Sequence, residues 1–193
     1  MRERRVSASP RRRRDAVATR QAILEAATRR FATEGYQRAG VREIAADAGV
    51  TAALVNRYFG SKEKLFAEVI ERALHSRHKL QGQRRDLADH LARVMVYGQE
   101  GAPGRVRTPL LLLLHSAPEP RAVKLFRRDL DRTALPLLAK QIGDDEAVRA
   151  AMAMALLTWF AMMHHVHRPK AFADASGEEL VALLSRSLAA CIG

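Results

Sequence analysis

From Ala16 onward, apolar residues recur at steps of three and four along nearly the whole chain, the spacing of helices that each bury one face. Val17, Ile23, Ala27 and Phe31 mark a first helix from Ala16, and Gly35 supplies the positive φ that ends it. A short second helix is expected over residues 41–48, with Gly40 at its N-cap and Glu43 reaching back from the third helical position, before Gly49 breaks it. Thr51 suits the N-cap of a third helix through Tyr58. Ser61 suits that of a fourth, which carries Leu65, Phe66, Val69 and Ile70 on one side.

The pattern continues beyond this first third. A fifth helix is expected over residues 86–99, closed by the Gly101, Pro103, Gly104 loop. Pro109 and the five leucines 110–114 predict a short buried sixth helix that stops before Pro118 and Pro120. A seventh spans residues 121–141 with a kink at Pro136. An eighth opens at Asp144 and Asp145, lasts to about Val166 and is stopped by Arg168-Pro169. Ser176 and Glu179 form a capping box for a ninth, residues 177–190. No strand alternation or internal repeat competes, so the expected fold is all-α with about nine helices.

Charge adds an asymmetry. The 193 residues carry 33 Lys and Arg against 21 Asp and Glu, a formal +12, which favours a polyanionic partner such as nucleic acid or a membrane surface. Residues 1–64 hold 15 of the basic residues and only 7 of the acidic ones. Residues 1–14, with seven arginines and no apolar periodicity, cannot bury enough surface to offset ordering, so residues 1–15 are expected to be a disordered Arg-rich arm. The arm either tracks phosphates or merely solubilises. It lacks the apolar segment of a secretory signal, although its Arg and Ser content superficially resembles a transit peptide. The most apolar stretch, residues 150–163, is shorter than the roughly 20 residues a spanning helix needs, so a core helix and no membrane partner are expected. One cysteine, Cys191, excludes an intramolecular disulfide framework and fits a cytoplasmic location.

The sharpest local signal is residues 41–59: two short helices joined by a turn that holds Gly49. This is helix-turn-helix spacing, with Ile44, Ala45 and Ala48 small or apolar where helices cross, and Val50, Val55 and Phe59 able to close a core on Phe31. An ordinary helical hairpin shares the spacing. The residues themselves run Ile23-Leu24-Glu25-Ala26-Ala27, Phe31-Ala32, Gly35-Tyr36, Val41-Arg42-Glu43-Ile44-Ala45, Ala48-Gly49-Val50 and Leu54-Val55-Asn56-Arg57-Tyr58-Phe59-Gly60-Ser61-Lys62-Glu63. Over about residues 17–66 this resembles the TetR family of transcriptional regulators, departing from its usual residues at Gly40, Leu54 and Asn56.

The resemblance implies a helix-turn-helix DNA-binding domain over residues 16–64 and a helical ligand-binding and dimerisation domain over residues 65–193. It implies that Arg42 reaches DNA from the second helix. Thr51, Ala52 and Ala53 would stand at the start of the recognition helix, Asn56 would read adenine or bind backbone, and Arg57, Tyr58 and Lys62 would hold phosphates. The implied partners are a palindromic double-stranded operator, a second copy of the chain, and a small apolar or amphipathic effector that releases a repressor. A nonspecific architectural DNA binder and, more remotely, a helical enzyme or ligand carrier are the alternatives.

Met and aromatic residues on the eighth helix suit either core or a pocket wall, since thioether and aromatic groups adapt to varied ligands. The candidate pocket residues are Met95, Leu112, His115, Phe126, Trp159, Phe160 and Met163. The last two helices offer more apolar surface than one small domain covers, and Ala151, Ala155, Leu180, Leu184 and Leu188 are the candidate dimer residues, on the helices that resemble the family's four-helix interface. His164 and His167 share a helical face, as do His75 and His78, without a third ligand in view. No catalytic constellation stands out, so no metal, cofactor or catalysis is expected.

Overall fold

The computed structural model describes residues 10–75, 87–98, 107–143 and 146–193. The first nine residues of the arm, Asp86, Gln99, the loop around Gly101, His78 and the Asp144-Asp145 pair lie outside them. Eleven α-helical segments occur among the described residues: α1 (Pro10–Arg38), α2 (Val41–Asp47), α3 (Ala52–Phe59), α4 (Lys62–His75), α5 (Leu87–Tyr97), α6 (Arg107–Ser116), α7 (Pro120–Asp129), α8 (Leu135–Ile142), α9 (Ala147–Met162), α10 (Lys170–Asp174) and α11 (Gly177–Ile192). The fold is all-α, with no strand among those residues.

Helix boundaries depart from the sequence pattern where the apolar period is silent. The first helix starts at Pro10 rather than Ala16, so part of the expected disordered arm is helical. Proline at a first turn is tolerated because its missing N–H has no intrahelical partner there. The long seventh helix is divided: a π turn, Leu130–Ala134, separates α7 from α8. Pro136 lies just beyond, and its ring crowds the carbonyl four residues back, so the ladder widens and the Leu135 N–H reaches the Leu130 carbonyl. A second π turn, Met163–His167, ends the eighth expected helix, and the unforeseen α10 follows it.

Packing divides the molecule differently from the boundary expected at residue 64. One core joins α1–α4 to α6 and α7 through Ile23, Phe31, Ile44, Val55, Phe66, Leu112 and Phe126. The Phe66 ring on α4 is its hub, 4.8 Å from Phe31 and from Tyr36 and 5.9 Å from Phe126. Burying each such ring stabilises the fold by about 1.5–3 kcal/mol. The second core is built from α5, α8, α9 and α11 and receives Leu110 from α6. The leucine run of α6 therefore belongs to both cores, with Leu110 and Leu112 buried on opposite allegiances.

The apolar stretch of the eighth expected helix sits in 21 continuous helical residues, Ala147–His167, long and apolar enough to cross a membrane by length and composition. Here Ala150, Ala153, Leu157 and Ala161 of this segment are buried in the second core.

Candidate nucleic-acid interface and apolar cavity

The turn between α2 and α3 is fixed by backbone. Gly49 has φ +67°, its N–H donates to the Ala46 carbonyl (3.1 Å), and the Val50 N–H donates to the Ala45 carbonyl (2.9 Å). These paired bonds terminate α2 and redirect the chain. Thr51 then caps α3, its Oγ1 accepting from the Leu54 N–H at 3.3 Å, and Ser61 caps α4, its Oγ accepting from the Lys64 N–H at 3.2 Å. At the start of α2 the Glu43 carboxylate folds back over Gly40, filling the space a Cβ would need. With Ile44 and Ala45 buried against Val55 and Phe59, α3 is held with its opposite face outward.

That outward face carries Thr51, Ala53, Asn56 and Arg57, all exposed, with Arg42 exposed on α2. Ala52 and Tyr58 are half-buried at its edges. The side chains of Arg42, Asn56 and Arg57 have no hydrogen bond or ion pair among the described residues. Neighbouring cations are committed elsewhere. Arg30 grips both oxygens of Asp47 on α2 and also Glu34, while Arg20 reaches Glu68 (2.5 Å) and lies 4.8 Å over the Phe59 ring. The hydrogen bond from Arg30 holds the Asp47 carboxyl below its ordinary range.

Lys62 is the exception among the implied phosphate contacts. Its Nζ donates to the Gln37 carbonyl (3.0 Å) and sits 5.0 Å over the Tyr36 ring, and burial lowers its pKa. The ammonium clamps the start of α4 to the end of α1, which takes it from the set of free cations at the surface.

A cavity of about 330 Å³ lies between α4, α6, α7, α8 and α9. Phe126 and Trp159 line it, whereas Met95, Leu112, His115, Phe160 and Met163 do not. Met95 and Leu112 are core residues, and Phe160 packs on His164 and Phe172. Ala151 and Ala155, expected between copies, face this cavity, and Thr158 gives it a hydroxyl. The residues lining it carry no charge.

The other interface candidates require correction. Leu180, Leu184 and Leu188 are buried in the subunit's own second core, where α11 packs on α5. The outward residue is Leu183, 49% exposed, joined on α9 by Val148 and Met152. Leucine type gave no way to separate positions 183 and 184; the helical phase relative to α5 does. His164 and His165 point Nε2 at the Val96 and Met95 carbonyls (3.2 and 2.7 Å), near the C-terminal end of α5. Among the described residues, no group of three or more His, Cys, Asp or Glu is placed to hold a metal.

A joint that sequence reasoning missed ties the cavity wall to the helix-turn-helix. At the end of α6 the His115 Nδ1 donates to the Ala32 carbonyl (2.5 Å), and the buried Ser116 Oγ accepts from the Tyr36 N–H (3.1 Å). Gly35 stands between them with φ +78° and ψ 172°, a conformation open essentially only to glycine. Earlier in the same helix, Pro109, Leu110 and Leu113 line the cavity.

A buried tri-helical support presenting one uncommitted polar helix face, joined to an apolar cavity, defines a helix-turn-helix DNA-binding regulator. Comparison with known proteins agrees. Residues 23–69 match the family described as "Bacterial regulatory proteins, tetR family", and residues 85–192 match "Tetracyclin repressor-like, C-terminal domain". The chain belongs to the TetR family. It is 27% identical over 173 residues to the HTH-type transcriptional regulator BetI of Agrobacterium fabrum, covering 84% of each chain. It is 41% identical over 61 residues to the HTH-type transcriptional repressor SCO4008 of Streptomyces coelicolor, a match that spans only 32% of either protein. Among solved structures, the TetR-family regulator SCO0857 of Streptomyces coelicolor superposes with a TM-score of 0.56 at 26% identity, over 91% of this chain and 95% of that one.

Proposed function

We propose that the protein acts in the cytoplasm as a homodimeric repressor that grips a palindromic operator and releases it on binding a small, uncharged, mostly apolar effector. The observation that carries the reading is the exposed face of α2 and α3, where Arg42, Asn56 and Arg57 stand unpartnered while Arg20, Arg30 and Lys62 are tied into the fold. Arg42 is assigned to a base edge or phosphate, Thr51, Ala52 and Ala53 to the groove, Asn56 to adenine, and Arg57 and Tyr58 to the backbone. Lys62 is assigned the support of α4.

The effector is assigned to the cavity. Its volume is at the low end of small-molecule sites, and a charged group would enter it without a counter-charge, so the lining favours neutral ligands with one polar group near Thr158. Pressure on Leu110 and Leu113 would be felt at His115 and Ser116 through the same helix. An effector acts only by its preference for the arrangement in which the two recognition helices no longer match successive major grooves.

Anisotropy of a labelled operator, with unlabelled operator and random duplex as competitors, tests this. Operator should compete at least a hundredfold better than random duplex, and a neutral apolar effector should lower that affinity. Equal competition by both duplexes would leave an architectural DNA binder in its place.

A further inference from the structure

Helix α7 separates apolar from basic residues. Ala122, Leu125 and Phe126 are buried in the first core, which also holds the helix-turn-helix, and the Phe126 ring lies 5.9 Å from Phe66 on α4. Arg121, Lys124 and Arg128 are all exposed, and at 100° per residue they fall within about 60° of one another on the helix. Arg132, also exposed, follows on the π turn. The side chains of these four have no hydrogen bond or ion pair among the described residues, whereas Arg127 is paired with Asp131 (3.6 Å).

The head of α7 is fixed to the edge of the helix-turn-helix. The Tyr36 N–H donates to Ser116 Oγ (3.1 Å), the Ser116 carbonyl accepts from the Glu119 N–H (3.0 Å), and the Glu119 carboxylate accepts from the Arg121 N–H (3.3 Å). Lys62, over the Tyr36 ring, marks the start of α4 at the same corner. Because α7 shares a core with α1–α4, its basic row keeps one position relative to α3.

A row of unpaired cations suits a polyanion, and the surroundings select DNA. The row begins beside the face already assigned to the groove. A helix that lies in a membrane surface inserts its apolar residues, but those of α7 are spent in the core, and Val123 alone of its large apolar side chains is exposed. Resting on the reading of α2 and α3 as the DNA-reading face, we infer that α7 is a second DNA contact: Arg121, Lys124 and Arg128 hold the sugar-phosphate backbone beside the bases that α3 reads. Such a contact adds affinity without sequence preference.

The test uses a duplex that extends well beyond the inverted repeat selected from a random pool, and a random duplex of equal length. Affinity as a function of salt and hydroxyl-radical protection are compared for the native protein and for Arg121→Ala, Lys124→Ala, Arg128→Ala combined. With circular dichroism unchanged, the variant should bind both duplexes at least tenfold more weakly at low salt, keep the ratio between them, and lose about 0.9 of salt slope per lost phosphate contact. Protection should vanish at sugars beside the half-sites and persist within them. Arg121→Lys with Arg128→Lys should retain slope and footprint, since a phosphate can be held by a point charge. Lys140→Ala, Lys170→Ala, Arg186→Ala combined removes the same charge from exposed positions on α8, α10 and α11 and should leave both native. Native slope and footprint in the α7 alanine variant, or equal losses in the α8, α10 and α11 variant, overturn the α7 contact and leave the α3 reading standing. Binding to phosphatidylserine vesicles that the α7 substitutions abolish, with DNA binding unchanged, assigns the row to a membrane and overturns it too. A native protein that binds neither duplex refutes the α3 reading and the α7 contact with it.

Discussion

Gly35 lies so close to the carbonyl oxygen of His115 that a Cβ there would overlap it. The contact joins the end of α1 to the end of α6, and it combines two demands on one residue: no side chain, and a φ of +78°. Gly35→Ala should destabilise the protein by roughly 1–3 kcal/mol from backbone conformation alone, with the overlap adding to it. Urea denaturation measures this, and an unchanged midpoint would mean that α6 does not press on α1 at this point.

The division of cations into tied and free makes the DNA-binding surface testable residue by residue. Arg57→Ala should weaken operator and random DNA alike and reduce the salt slope by about one. Arg42→Ala should cost about 1–3 kcal/mol of sequence discrimination if it pairs with guanine. Lys62→Ala, by contrast, should lower stability by about 1 kcal/mol through the lost Gln37 bond, with the salt slope unchanged. A reduced slope for Lys62→Ala would return it to the phosphate contacts.

Leu184 sits in the subunit core at 3% exposure, so Leu184→Ala should cost about 2–5 kcal/mol in thermal or urea unfolding. It should leave the dimer's dissociation constant unaltered wherever the fold persists. Dissociation without loss of stability would place Leu184 between copies.

Acid stability should carry the mark of Asp47, whose carboxyl is held below its usual 3.8, chiefly by the hydrogen bond from Arg30. A depressed carboxyl contributes stability above its unfolded pKa and loses it as pH falls through the lower folded value. Asp47→Asn should therefore be less stable than the native protein at neutral pH, and the difference should shrink below about pH 4. Denaturation profiles that stay parallel down to pH 3 would show that the Arg30 pairing contributes nothing.

How legible these features were depends on the range over which each is determined. Thr51, Ser61 and Gly49 act on residues within a turn of themselves, and the structure shows their caps and turn where the residue types place them. The α6 joint is different, because Ser116 and Tyr36 are 80 positions apart and nothing local marks them as partners. The pocket candidates are divided by the same kind of long-range packing, with Phe126 and Trp159 at this cavity and the other five away from it. Phe160 and Trp159 are neighbours of like chemistry, yet one helical step sends Phe160 toward Phe172 and Trp159 toward the cavity edge. Lys62 was read from its position in a motif, whereas its ammonium is set by the Tyr36 ring and a carbonyl on another helix.

The central claim is that two α3 helices read two half-sites. Selection of bound duplexes from a random pool by the native protein, followed by sequencing, tests it most directly. The account predicts enrichment of an inverted repeat with half-site centres about one helical turn, or a multiple of it, apart, and loss of that enrichment for Asn56→Ala combined with Arg42→Ala. A pool that remains random while binding salt-sensitively, or a single unrepeated site, would contradict it.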